Sequence, residues 1–213
     1  MAVAYDISAT IDDFSVTTKT TGTFTIAATA DRVAIVGLAF LADPGAITAV
    51  TCSGVSGTLI SGTSIDNTAG FWLRLYQVIA PPSGAGKTAS ATWTNACNMS
   101  IGVLVFNGAH QTTPTNGGVT ASGASPLSRI VTSISGDMTC SLNANDLAAI
   151  DQTTNQTLRL SDFGCMDTGP GSGTTTHTWT KAAAQEVTSG ANVVAAPAAY
   201  TANQPFAATQ RMG

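Results

Sequence analysis

Charge is what this chain has least of. Only 9% of its 213 residues are Asp, Glu, Lys or Arg, against roughly a quarter in ordinary soluble domains, so the wet surface must be built from Thr, Ser, Asn, Gln and Gly. Eight basic residues against twelve acidic ones leave a formal net charge of -4, with no basic run able to release counterions from a phosphate backbone. Nucleic acid is therefore not an expected partner. Histidine is limited to His110 and His177 and glutamate to Glu186. A hydrolase carboxylate pair would have to come from aspartates such as Asp12, Asp13, Asp31, Asp66, Asp137, Asp146, Asp151 and Asp162. Most of these sit at turn positions, where Asp caps its own backbone.

Long apolar runs are also missing. The longest, residues 33–42, is bounded by Arg32 and Asp43 and falls well short of the roughly 20 residues that cross a bilayer as a helix. No membrane partner is expected. The opening residues 1–13 have neither a basic n-region nor an apolar h-region, so no secretory signal is read there. Without secretion, the glycosylation sequons at Asn98 and Asn155 are chance matches. The four cysteines, Cys52, Cys97, Cys140 and Cys165, fall in no C-x-x-C; reduced, buried thiols are expected, and no zinc site.

What the chain does have is extended backbone. Threonine is abundant, and 21 Gly with 8 Pro punctuate many short stretches, which favours strands over helix or disorder. The key run is residues 98–114. Ile101, Val103 and Val105 alternate with Gly102, Leu104 and Phe106, apolar on both faces, which predicts a central strand inside a sheet stack. It ends at the Asn107-Gly108 turn, and Pro114 marks the way out.

Further strands are predicted at residues 3–7, 23–26, 33–40, 47–52, 58–60, 71–78, 88–94, 127–134, 138–142, 147–153, 158–163, 174–180 and 193–196. Residues 10–22 and 114–125 read as loops, the second a natural place for binding. Turn signals about every ten residues are the rhythm of an all-β antiparallel sandwich or jelly roll. One domain is expected over residues 1–196, followed by a loosely structured tail or arm over 197–213.

No stretch carries an active site. Residues 83–88 imitate the end of a phosphate-binding loop, but Pro81 stands where the motif needs its first Gly, and the loop joins two strands instead of a strand and a helix. Neither histidine lies in a metal-binding pattern, no G-x-S-x-G elbow occurs, and no cysteine has a nucleophile context. A loop Ca²⁺ site would leave no signature. Trp72, Trp93 and Trp179 could stack on sugar rings if exposed, yet each lies on an alternating strand, where core packing is the expectation. No catalytic, cofactor or metal residue is assigned.

Four segments together are distinctive: Arg32-Val-Ala-Ile-Val36; Ile47-Thr-Ala-Val-Thr51 before a glycine hairpin; Trp72-Leu-Arg-Leu-Tyr76 running into Ala80-Pro-Pro-Ser-Gly84; and Val103-Leu-Val-Phe-Asn-Gly-Ala-His-Gln-Thr-Thr-Pro114. In this order they resemble a family of jelly-roll domains found in tailed-phage virion proteins and bacterial surface proteins. The similarity runs from about residue 20 to Ala196 and is strongest between Arg32 and Pro114. It implies a fold and a setting and brings no catalytic residues. The expectation is a non-enzymatic virion protein, made in the host cytoplasm without a signal, that decorates and cements the head. It would bind the major capsid protein, itself as a homotrimer. The alternative is a tail-fibre or surface module that binds host glycans through loops such as residues 117–125. A hydrolase built on folded-together aspartates is a third class.

Overall fold

A strand that is apolar on both faces has to be covered twice. In the computed structural model, which describes residues 2–68, 70–124, 126–145, 151–152, 156–160, 164–180 and 185–197, Ile101 to Phe106 lie in the middle of a stack of antiparallel sheets and are buried throughout. Eighteen strands and no helix occur among the described residues. In chain order they are β1 (Ala4–Thr20), β2 (Phe24–Ile26), β3 (Val33–Phe40), β4 (Ile47–Cys52), β5 (Val55–Ser56), β6 (Thr58–Leu59), β7 (Ile65–Thr68), β8 (Phe71–Ile79) and β9 (Gly84–Lys87). There follow β10 (Ala89–Asn107), β11 (Thr115–Ala124), β12 (Leu127–Thr132), β13 (Met138–Asn145), β14 (Asp151–Gln152), β15 (Thr157–Leu160), β16 (Gly164–Pro170), β17 (Thr174–Thr180) and β18 (Gln185–Val193). The expected all-β antiparallel sandwich is what the chain forms.

The spine is β10, 19 residues long, which joins the two predicted strands 88–94 and 98–106 into one. One edge pairs with β1 from Ala4↔Asn107 to Thr20↔Ser90. The other pairs first with β4 and then with β3. The path continues β5-β4-β10-β3-β8-β6. Its two ends, β5 and β6, are separated only by Gly57, whose N–H donates to the Val50 carbonyl at 2.8 Å. The chain itself thus joins the strand that pairs with β4 to the strand that pairs with β8. Packed together on one face of this sheet are Val36, Leu38, Phe40, Val50, Cys52, Trp93, Ile101, Val103 and Val105, with Phe24 and Ile26 of β2. Phe40 and Trp93 meet edge to face at 5.2 Å.

The opposite face of β3, β8 and β10 packs on a second sheet, β11-β18-β13-β16-β15. Ile35, Leu73, Leu75, Leu104 and Phe106 from the first meet Cys140, Leu142, Leu160, Met166, Val187 and Val193 from the second in one apolar cluster. Gly37 and Gly102 are register partners, and they make room for this contact: a Cβ at either would come within 2.9 Å of the Met166 sulfur. A third sheet, β12-β17-β14, covers the far side of the second.

Two predicted loops are strands. Residues 10–20 continue β1, because a long β10 offers a ladder that polar residues join through backbone alone. Residues 115–124 form β11, paired with β18 from Thr115↔Val193 to Ala124↔Gln185. The sequence reading missed β16 and most of β18, and it read residues 84–87 as loop, whereas they are β9, paired with β2. Of the strand predicted at 147–153 only Asp151–Gln152 is described. Of that at 158–163 the part up to Leu160 is described. The tail beyond Pro197 lies outside the described residues.

Candidate functional site

The second sheet has two different faces. Along β13, Cys140 and Leu142 point to the apolar cluster, so the alternating Thr139, Ser141 and Asn143 point to the third sheet. On β18, Val187 and Ala191 alternate with Glu186, Thr188 and Asn192, and on β16 Met166 neighbours Asp167. The third sheet places His177, Trp179 and Val131 over this face. The result is a layer of polar side chains with almost no access to water.

Buried polar groups need partners, and those around Asp167 have them. Asp167 Oδ1 accepts the Ser141 N–H at 3.1 Å, the Ser141 hydroxyl at 2.6 Å and His177 Nδ1 at 2.9 Å. Its Oδ2 accepts the Gln156 amide, whose oxygen in turn accepts the Thr178 N–H at 2.8 Å. His177 Nε2 lies 2.9 Å from the Thr139 hydroxyl. Trp179 Nε1 donates to Ser141 Oγ at 3.1 Å. These contacts tie β13, β16 and β17 together. They also order carboxylate, imidazole and hydroxyl as in an acyl-transfer relay. Asp167, His177 and Thr139 are each 0% exposed, so in this arrangement no substrate carbonyl reaches the Thr139 hydroxyl. The geometry joins sheets.

Asp137 caps the other end of the layer. Its Oδ1 accepts the Ala195 N–H at 2.8 Å, and its Oδ2 accepts the Ile134 N–H at 3.2 Å and Asn192 Nδ2 at 2.7 Å. A carboxylate only accepts from these groups, so the Asn192 amide is oriented by Asp137, and the same Nδ2 reaches Asn116 Oδ1 at 3.1 Å. Two open clefts flank Asp137. One, about 400 Å³, is lined by Val3, Gly136, Met138, Arg159, Gly169 and Pro170 among others. The other, about 320 Å³, lies between Asn116, Gly117, Thr132, Ile134 and Asn192.

The remaining sequence candidates do not converge. Half-buried His110 accepts the N–H groups of Thr112 and Thr113 on Nδ1 at 3.1 and 3.0 Å, closing the turn before Pro114. Asp43 accepts the Gly45 N–H, as expected of a turn aspartate, whereas Asp13 lies within β1 beside a register shift and accepts the Phe14 N–H. Lys19–Asp13 and Arg74–Asp66 are ion pairs. Trp93 and Trp179 are in the core, and Trp72 is half-buried. Among the described residues no three His, Cys, Asp or Glu gather as a metal site. Cys52, Cys97 and Cys140 are free and buried. Burial pushes the Cys52 thiol up to about 11 and raises Cys97. Burial, with the Asp167 charge behind it, pushes Cys140 up to about 12.

Neither protein-family models nor curated protein sequences give a match to this chain. Sequence reasoning missed Asp167, Gln156, Asn192 and Arg159. The only available signal was His177 at an inward position of the alternating run Thr174–Thr180.

Proposed function

We propose that this is a non-enzymatic virion protein that decorates and cements a phage head, binding coat subunits as a trimer. The observation that carries the reading is where the ionisable groups go: the described pairs His177–Asp167, Lys19–Asp13 and Arg74–Asp66, together with Asp137, are engaged in holding strands and turns. Part of the strand surface left to water carries hydroxyls. Thr20, Ser90, Thr51 and Ser56 are register neighbours across β1, β10, β4 and β5, and none of the four is buried. Such a surface suits broad contact between subunits, with Phe14, Ile134 and Ile130, 73%, 68% and 56% exposed, as its apolar anchors. The protein would stabilise a shell by binding the assembled state in preference to the dissociated one. The likeness of residues 32–114 to virion jelly rolls supplies the setting.

Purified protein added to expanded shells should bind and raise the temperature or internal pressure at which they release DNA. Shells that show neither binding nor a shifted release would refute the reading. The glycan-binding alternative has lost two of its three stacking candidates to the core, leaving Trp72.

A further inference from the structure

Arg159 stands apart from the other described cations. It lies on the edge strand β15, where Leu158 pairs with Asp167 and Leu160 with the next partner, Met166. Arg159 is therefore the extra residue of a β-bulge, a device that re-aims a side chain. Two elements hold it in its new direction. From β1, the Tyr5 ring lies under the guanidinium, 3.8 Å from its carbon to the ring centroid, and Ser8 Oγ, which takes the Tyr5 hydroxyl proton at 2.7 Å, donates to the Arg159 carbonyl at 3.3 Å. Tyr5 is itself set edge-on against Phe106. From β16, Thr168 Oγ1 accepts Arg159 Nε–H at 3.0 Å.

That leaves the two terminal nitrogens. Among the described residues neither has a hydrogen-bond or carboxylate partner, and the side chain lines the larger cleft, about 400 Å³, enough for one small group. The other wall residues include Gly136, Gly169, Gly171 and Ala2, which place no bulk in the way. The one acid in the wall, Asp137, has both oxygens engaged by Ala195, Ile134 and Asn192. A stacked guanidinium with its fork free matches a planar carboxylate. One cation beside one carboxylate, on a chain of net charge -4, suits a monoanion better than a phosphate dianion.

We infer that the cleft beside Arg159 is a binding site for a carboxylate. That this carboxylate is carried by a coat subunit rests on the reading above; the carboxylate site itself does not.

The test follows the backbone N–H resonance of Gly169 in the cleft wall, present in wild type and variant alike, during titration of the full-length protein with sodium acetate, against sodium chloride at equal ionic strength and against sodium phosphate. Acetate should shift it saturably, with a dissociation constant on the order of millimolar; chloride should not, and phosphate should bind more weakly. Arg159→Lys, which keeps the charge but loses fork and stacking, should weaken acetate at least about tenfold. Its backbone spectrum away from the cleft should be unchanged. No saturable acetate effect, tighter binding of phosphate, or equal binding by Arg159→Lys would overturn the site. In a second arm, Arg159→Lys should bind expanded shells at least about tenfold more weakly than wild type. Equal binding would remove this site from the interface and leave the shell reading intact. Acetate binding without any shell binding would do the reverse.

Discussion

Gly62 and Gly118 stand back to back where the turn after β6 crosses β11. A Cβ on Gly118 would lie 1.9 Å from the Ser61 carbonyl oxygen, and one on Gly62, whose φ is +79°, would lie 2.6 Å from the Gly118 oxygen. Backbone cannot swing aside as a side-chain tip can, so this crossing between the first and second sheets tolerates no side chain. Gly118→Ala should cost about 3 kcal/mol or more, at or beyond the upper end of ordinary overpacking. Gly22→Ala, with open space around it, should change little. Urea unfolding of both variants checks this, and a Gly118→Ala loss below about 1 kcal/mol would contradict the packed crossing.

The buried Asp167–His177 pair predicts a second pattern. Replacing His177 with Leu removes one of the donors to a side chain that has no water to turn to, and losing a hydrogen bond to a buried polar group costs roughly 1–3 kcal/mol. Thr139→Val, which takes away only the hydroxyl at Nε2, should cost about 1–3 kcal/mol. The double variant should lose less than the sum, because the residues share one network. Additive losses in thermal or urea unfolding would argue against coupling.

Thiol chemistry gives a third test. In the native protein Cys52, Cys97 and Cys140 should resist a thiol reagent at neutral pH and react only on unfolding, because burial keeps them protonated. The same burial makes stability depend on alkaline pH. The folded state holds the Cys52 proton up to about 11 and the Cys140 proton up to about 12, whereas an unfolded thiol releases its proton near 8.5. The stabilisation is therefore complete below that lower value and is lost progressively as pH rises through about 11 and 12. Unfolding free energy measured from pH 8 to 11 should fall, and Cys140→Ala should flatten the decline. A flat wild-type profile would contradict the burial.

The strands that were legible in sequence are those whose burial is apolar. Residues 98–106 announced a central strand because both faces are hydrophobic, and Trp93 and Trp179 read as core because each sits at an inward position of an alternating run. Polar strands were not legible. Residues 10–20 and 115–124 are held by ladder hydrogen bonds to β10 and β18, and a ladder places no demand on side-chain pattern. The face of the second sheet that meets β12 and β17 is written in Thr, Ser, Asn and Asp, the composition of a solvated surface, yet Thr139, Ser141 and Asn143 are 0% exposed. Arg159 owes its direction to a bulge and to Tyr5, 154 positions earlier (159 − 5). Neither relation is local enough to show in a run of residues.

The pairing of β1 with β10 also governs the order in which the molecule can be built. As the nascent chain leaves the ribosome, its first strand emerges with no partner, and its ladder runs as far as Asn107. Sheet segments β3, β4 and β8 can meet neighbours earlier, but the gap that β10 fills between β1 on one side and β3 and β4 on the other stays open until then. Pairing over such sequence distances is entropically expensive and slow. The first sheet therefore sets only once β10 has emerged, around the arrival of one long strand.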